Sequence, residues 1–284
     1  MSPRVSVVMA VKNYPDFLPD AMASILGQTE RDIEFVIVDY GSTDGTIDII
    51  KGNTDLRIRL IEWPGLTFTE ALNVGVAVAK GKYIARQDAD DYSLPTRLDV
   101  QATFLDVHRH IDVLGTGYKV VDPRSSTSRT ESSELDHELL FALAKYDCPI
   151  AHGTLMVRSE VFDAFDYDEE MECAQDYGLY LKVMHSSIIC HVIPNVLYIR
   201  FHAEGCVTEL HRKKQLWCVA YAKVRYGRGH SWRHNRIRVH AEAYWRSEGA
   251  RKVYEFIMVA MYDPHYWVVE YRKARAGRGV VEHN

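Results

Sequence analysis

Along the first ninety residues the hydrophobic positions switch between two rhythms. Val5–Val11 is an unbroken apolar run rich in β-branched residues, the pattern of a strand buried on both faces. Asn13, Pro15 and Asp16 interrupt it, and residues 17–26 then place Phe17, Leu18, Ala21, Met22 and Ile25 at helical spacing. Residues 33–38 read as a second buried strand, ending in the turn-rich stretch Asp39-Tyr40-Gly41-Ser42-Thr43-Asp44-Gly45. A short helix should follow, with Ser42 or Thr43 as its N-cap. Residues 57–61 form a third strand and 69–79 a helix; Gly81 breaks the chain before a fourth strand at 83–87. Strand and helix alternating at this spacing predict a doubly wound, mostly parallel α/β sheet flanked by helices. Ligands of such sheets bind beyond the carboxyl ends of the strands, here Lys12-Asn13, Asp39-Tyr40-Gly41 and Asp88-Ala89-Asp90-Asp91.

After Leu94-Pro95 the pattern predicts a helix to about residue 109 and a strand over 113–121. Residues 122–136 are polar and Ser/Thr-rich and read as a flexible loop. Short helices and strands mix between 138 and 201, and from 210 onward the pattern is helical. The expected organisation is 1–115, 116–210 and an α-helical extension over 211–284, with no internal repeat.

Composition changes this picture at three points. With 284 residues, 47% hydrophobic and 26% charged, the chain has the make-up of a globular protein and ample length for a core. No apolar run approaches the roughly 18 residues of a membrane-spanning helix, and the N-terminus lacks the pattern of a secretory signal. The five cysteines (Cys148, Cys173, Cys190, Cys206, Cys218) show no CxxC and read as buried or free thiols of a reducing, cytoplasmic compartment. The net charge of −5 conceals a division: residues 1–210 carry −15 and residues 211–284 carry +10, together with four of the five tryptophans.

The chemistry concentrates at Asp88-Ala89-Asp90-Asp91. Three carboxylates within four residues repel one another unless a positive partner is present. A hard divalent cation such as Mg²⁺ or Mn²⁺, held by one or two carboxylates plus substrate phosphates, is one partner; a solvated acidic turn is the plain alternative. The first strand–helix turn has neither GxGxxG nor GxxxxGK[ST], which argues against a dinucleotide-binding dehydrogenase and a P-loop NTPase.

Three ordered segments, VSVVMAVKN, VIVDYGSTDGT and ALNVGVAVAKGKYIARQDADDYSLPTRL, resemble the nucleotide-sugar-binding half of glycosyltransferase family 2, of GT-A fold. The likeness continues through CPIAHGTLMVRSEVF, CAQDYGLYLKV and YIRFH, so it spans about residues 4–207 and fades over the tail. It implies that Asp39 accepts a hydrogen bond from a uracil or thymine ring, with Ala10 and Lys12 lining the base pocket. Asp88 would lie near ribose and metal, Asp90 would ligate Mn²⁺ or Mg²⁺, and Asp91 would assist as a second ligand or as an acceptor behind it. Three positions depart from the family pattern: Tyr40 stands where an acid is common, Lys12 where an aromatic is common, and Gln175 where a glutamate is usual. Arg86, a charge inside an apolar strand, would reach a phosphate or pair with the acidic cluster.

In the second half the likeness makes Asp176 the general base of an inverting transfer; the plain reading is a helix N-cap. His152 borders the implied acceptor site, where a structural histidine is the alternative. Arg200 resembles a diphosphate clamp, and His202 a further metal ligand. The implied activity moves a sugar from a nucleotide sugar, UDP-linked, to a hydroxyl of a glycan or lipid-linked glycan. A sugar-nucleotide-forming nucleotidyltransferase and a non-enzymatic nucleotide-sugar-binding scaffold are the rival readings. The basic, aromatic tail offers packing on the body, a homodimer contact or peripheral attachment to the cytoplasmic membrane face; nucleic acid is not an expected partner.

Overall fold

The first sheet strand, β1 (Val5–Val11), is buried along its whole length, as its unbroken apolar run requires. It pairs in parallel with β2 (Ile33–Asp39), which pairs in parallel with β3 (Ile58–Glu62). On its other edge β1 pairs in parallel with β4 (Tyr83–Arg86). The connections are α1 (Leu18–Leu26), α2 (Thr46–Gly52) and α3 (Phe68–Val78). Thr67 and Glu70 form a reciprocal capping box at the start of α3, satisfying two of its free amide groups. Gly75 lets that helix press onto β1: a Cβ there would lie 2.5 Å from Val8 Cγ1. The computed structural model describes residues 2–122, 125, 127–144, 148–201, 218, 219, 221–223, 225 and 226.

Beyond β4 the chain forms β5 (Tyr92–Ser93), α4 (Arg97–Val107), β6 (Val113–Asp122), β7 (Thr127–Glu131) and α5 (His137–Leu143). A 3₁₀ turn (His152–Thr154), β8 (Met156–Arg158), α6 (Ser159–Ala164), α7 (Gln175–Met184) and β9 (Cys190–Phe201) follow. The sheet runs β3-β2-β1-β4-β8-β6-β9-β5, with β7 attached to β6. Its first four strands are mutually parallel; β8 is antiparallel to β4 and β6, while β6 and β9 are parallel. This mixed, mostly parallel α/β sheet is the fold class expected from the sequence. Residues 1–115 and 116–210 contribute to one sheet, and β6 straddles the position between them.

Four local expectations are corrected. The stretch 122–136 is not all loop, because β7 forms within it and pairs with β6; its Thr and Arg side chains suit an exposed edge strand. Neither Ser42 nor Thr43 caps α2, which begins at Thr46 behind Gly45 at φ 92°. Ser42 instead donates its hydroxyl to Asp39, and the Thr43 amide donates to Asn13 Oδ1. Asp176 is the second residue of α7 rather than its cap; the chain enters that helix through Ala174 at φ 53°. Finally, Cys173 and Cys218 form a disulfide, with Cα atoms 5.9 Å apart. Forty-five residues separate them, so only the fold brings them together and no spacing motif announces the pair. Cys148 and Cys190 are outside any disulfide, and Cys206 lies outside the described residues.

Chain contacts divide the protein into Met1–Cys218 and Val219–Asn284. In the second unit the described residues 219, 221–223, 225 and 226 are helical. The expectations for the basic tail otherwise lie outside the described residues. Among the described residues no helix is long and apolar enough to cross a membrane.

Candidate active site

The carboxyl end of β4 delivers the acidic turn. Arg86, 2% exposed, points back under it. Its Nη1 donates to the carbonyls of Val8 (2.8 Å) and Gln87 (2.7 Å), and its Nη2 pairs with Asp88 Oδ1. Of the two uses expected for Arg86, the structure has the ion pair. Gln87, fully buried, donates its Nε2 to the carbonyls of Asp88 (3.0 Å) and Asp91 (2.9 Å), which sets the curvature of the turn. Tyr198 Oη, from β9, accepts the Asp88 amide at 3.2 Å. Asp91 is buried and accepts the Phe201 amide at 3.0 Å. Asp88 and Asp90 remain half-buried at the surface of the turn.

The charges in this turn are poorly compensated. Burial, followed by the Asp88 charge, pushes the Asp90 carboxyl up to about 6. Burial and the same neighbours drive Asp91 well above the ordinary carboxylate range. Asp88 goes the other way: burial opposes its ionisation, but the Arg86 guanidinium prevails and holds it low. Among the described residues no three His, Cys, Asp or Glu side chains converge into a metal cage. The donor set nevertheless fits a cation shared with a ligand, because the oxygens are hard and their excess negative charge is what a divalent ion relieves.

At the end of β2, Asp39 is 1% exposed and accepts the amides of Gly41 and Ser42, each at 3.0 Å, besides the Ser42 hydroxyl. Its carboxylate therefore shapes its own loop. Ala10 is buried on β1 opposite Val38, the residue before Asp39. Lys12 is exposed and holds its ammonium 5.6 Å from the Tyr40 ring, which itself lies 6.1 Å from Phe68. Burial and the nearby Asp39 push the Tyr40 phenol up to about 12. Tyr14 links this aromatic group to the acidic turn: its phenol is raised by burial and then by Asp90.

The other side is built from later segments. Asp176, near the start of α7, accepts the Tyr177 amide on Oδ1 at 2.8 Å and the Cys148 thiol on Oδ2 at 3.5 Å. Burial raises its pKa, and the Asp88 charge adds to the rise, so the two carboxylates lie within electrostatic reach. His152 Nε2 is hydrogen-bonded to Tyr167 Oη at 2.8 Å. Burial and then Arg86 push this imidazole down to about 3, leaving it neutral at ordinary pH. Tyr167 is fully buried; burial raises its phenol pKa, Arg86 opposes the rise, and Asp176 and then Asp88 add to it. Arg200 stands on β9 beside Val120, on the exposed side, and its charge acts on Asp91 and Asp88. His202 lies outside the described residues.

The structure thus groups Asp88, Asp90, Asp91, Arg86, His152, Asp176 and Arg200 through direct bonds or mutual electrostatics. Asp39, Ala10 and Lys12 form a neighbouring cluster at the ends of β1 and β2. Sequence reasoning missed Tyr14, Cys148, Tyr167 and Tyr198. Tyr14 was legible in principle, since it follows the β1 strand end by three residues. Cys148 and Tyr198 begin the family-like segments CPIAHGTLMVRSEVF and YIRFH, but nothing in those segments singles them out, and Tyr167 lies outside them.

The chain matches the glycosyl transferase family 2 model over residues 6–165. It is 36% identical over 164 residues to EpsE of Bacillus subtilis, a match covering 56% of this chain and 58% of EpsE. It is 30% identical over 190 residues to the O-antigen biosynthesis glycosyltransferase WbnJ of Escherichia coli, covering 64% of this chain and 72% of WbnJ. Among solved structures, S. aureus TarS 1-349 in complex with UDP-GlcNAc superimposes with TM-score 0.63 at 19% identity, covering 88% of this chain and 75% of that one. The mannosyltransferase PcManGT from Pyrobaculum calidifontis, in complex with GDP-Man and Mn²⁺, superimposes with TM-score 0.60 at 20% identity, covering 99% and 77%. These two likenesses bear on the fold. The match to the family model extends over more than half the chain, from β1 through the acidic turn to α6, and on that ground the protein belongs to glycosyl transferase family 2.

Proposed function

We propose that this protein is an inverting glycosyltransferase that moves a sugar from a nucleotide-sugar donor to a hydroxyl of a glycan or glycoconjugate acceptor. The observation that carries the reading is the meeting of two carboxylate groups from distant parts of the chain. The Asp88–Asp91 turn ends β4, and Asp176 opens α7, yet the Asp88 charge adds to the rise in the Asp176 pKa that burial begins. One group suits the leaving diphosphate and the other suits the incoming hydroxyl.

Asp176 takes the proton of the acceptor hydroxyl as it attacks the anomeric carbon. A positioned base of this kind contributes typically ~10²–10⁴-fold. Its raised pKa strengthens it as a base once ionised, and the Cys148 and Tyr177 hydrogen bonds hold both its oxygens in place. His152, neutral and tied to Tyr167, offers the acceptor a fixed polar surface between the two carboxylate groups. Arg200 adds positive charge on the donor side. Asp90, with Asp88 and Asp91 behind it, would hold Mn²⁺ or Mg²⁺, and a bound cation supplies Lewis-acid stabilisation to a departing nucleoside diphosphate. Lys12, Tyr40, Ala10 and Asp39 receive the base, and a UDP-linked donor is the reading we adopt. A neighbour of this fold holds UDP-GlcNAc and another holds GDP-Man with Mn²⁺.

A thermal-shift screen of nucleotide sugars with and without Mn²⁺ tests the donor. A ligand at a hundred times its dissociation constant stabilises the folded state by about 2.7 kcal/mol. Stabilisation by a UDP-sugar that requires Mn²⁺ and vanishes in Asp90→Ala is the expected result. Stabilisation independent of Mn²⁺ and of Asp90 contradicts the role given to the acidic turn.

A further inference from the structure

Arg97, in the first turn of α4, is fully buried. All five of its N–H donors have acceptors. Nε bonds Gln101 Oε1 at 3.0 Å, Nη1 bonds Gln87 Oε1 at 3.2 Å and Ser93 Oγ at 2.7 Å, and Nη2 bonds the carbonyls of Arg86 at 2.7 Å and Leu155 at 3.3 Å. None of these acceptors is a carboxylate. A guanidinium buried without an ion-pair partner is costly, and burial lowers its pKa to about 10.

The partners explain its retention. Three of its five acceptors, Gln87 Oε1, Ser93 Oγ and the Arg86 carbonyl, lead to the acidic turn. Gln87, held by Arg97 through Oε1, fixes the carbonyls of Asp88 and Asp91 with its own amide. The Arg86 carbonyl, held by Nη2, belongs to the residue whose side chain pairs with Asp88. The guanidinium carbon lies 5.1 Å from the ring of Tyr198, whose hydroxyl accepts the Asp88 amide. Leu155 follows the 3₁₀ turn that carries His152, so the same cation also touches the opposite side of the site. Gly153 in that turn packs so closely on Tyr198 that a Cβ would lie 2.2 Å from its hydroxyl oxygen.

We propose that Arg97 is the positioning residue of the donor site: its planar, five-donor fork fixes the backbone of the Asp88–Asp91 turn from beneath and places a fixed positive charge under its carboxylates. It touches no substrate and acts through Gln87, Arg86 and Tyr198. Lysine has three donors on a point charge and cannot bond all five acceptors from one planar fork, so Arg97→Lys is not a conservative change here.

The inference rests on the donor-site reading, and the test separates the two. Three quantities are measured on the full chain: melting temperature, amide hydrogen exchange over residues 87–91, and the dissociation constant for UDP with Mn²⁺ by calorimetry. The variants are Arg97→Lys, Tyr198→Phe, Asp90→Ala and a core control at the amino end of β2, Ile33→Ala. In Arg97→Lys, exchange over 87–91 should accelerate at least tenfold and the dissociation constant should rise at least tenfold. Ile33→Ala should lose a similar amount of melting temperature with UDP binding within twofold of wild type. Tyr198→Phe, which removes one hydroxyl and keeps the ring, should move both readouts in the same direction by a smaller factor. It carries the test if Arg97→Lys does not fold. Unchanged exchange over 87–91 in both variants, or UDP affinity that tracks only melting temperature across the set, overturns the proposal. If Asp90→Ala binds UDP and Mn²⁺ as wild type does, the donor reading fails instead, while accelerated exchange in Arg97→Lys still upholds the anchoring of the turn.

Discussion

The two carboxylate groups of this protein are held in different ways. The acidic turn at the end of β4 rests on a dense polar layer: Arg86, Gln87, Arg97 and Ser93 are all buried and bonded to one another or to the turn's backbone. Asp176, across the site, has two hydrogen bonds, one from the next residue's amide and one from a thiol. It enters its helix through a non-glycine residue at positive φ, a conformation that costs energy and needs surrounding support. On the proposed reading, the donor side has a fixed shape, whereas the base side has a tuned carboxylate. A leaving diphosphate needs stationary charge, while a general base needs a pKa raised toward the working pH.

The sharpest way to break this contrast is to remove one function from each side. Asp176→Asn should lower the transfer rate by roughly 10²–10⁴-fold while leaving nucleotide-sugar affinity near wild type, measured by product formation and calorimetry. Asp90→Ala should instead abolish Mn²⁺-dependent donor binding. If both variants lose binding equally, the two sides are not separate in function.

Next in size is a change at the seam. Gly153→Ala forces a Cβ to within 2.2 Å of Tyr198 Oη, and the backbone on one side must move. Overpacking of this kind costs typically about 1–3 kcal/mol, which urea denaturation would read. Transfer activity should fall further than stability, because Tyr198 holds the Asp88 amide. A variant as stable as wild type would show that the close approach is relieved without cost.

A third test compares the scaffolds by acid. Asp106 accepts bonds from Arg4, Lys82 and Tyr83, at the beginnings of β1 and β4. Burial opposes its ionisation, but these bonds prevail and hold its carboxyl below the ordinary value. A depressed folded-state pKa contributes stability that is present above the unfolded value, near 4, and is lost as pH falls through the folded value. The stability difference between wild type and Asp106→Asn should thus be full at neutral pH and shrink below about pH 4, as read by denaturation at several pH values. A difference independent of pH would remove Asp106's charge from the account.

The smallest expected effect is at Cys148. Cys148→Ser keeps a donor to Asp176 and should change the transfer rate only a few-fold, whereas Cys148→Ala removes the donor and should raise the pH at which activity appears. The S–H bond favours the ionised carboxylate, so its loss raises the Asp176 pKa. Identical pH profiles for the two variants would remove the thiol from the tuning of the base.

The same contrast explains what the sequence made legible. The parallel strands were readable because β1 and β2 are continuous apolar runs closed by turn residues, and the acidic turn because its three aspartates are contiguous. Asp176 stood out through its place in a family-like segment. The supporting residues were not readable. Arg97 looks like any arginine after a proline, Gln87 like a polar strand end, and Tyr198 like one more apolar position in β9. Their roles arise only when segments as distant as Asp88 and Tyr198 are brought together. The Cys173–Cys218 pair escaped notice for the same reason. The strand β7 was hidden because an exposed edge strand has no apolar alternation to announce it.

The central claim is that donor binding and proton removal reside in different carboxylate groups of one site. Its most direct test is a calorimetric titration of a UDP-sugar, with Mn²⁺ present, into Asp176→Asn, run beside a transfer assay on the same preparation. The account predicts donor affinity within about twofold of wild type, with transfer reduced by roughly 10²-fold or more. Transfer that survives in this variant, or donor binding that disappears with it, would contradict the account.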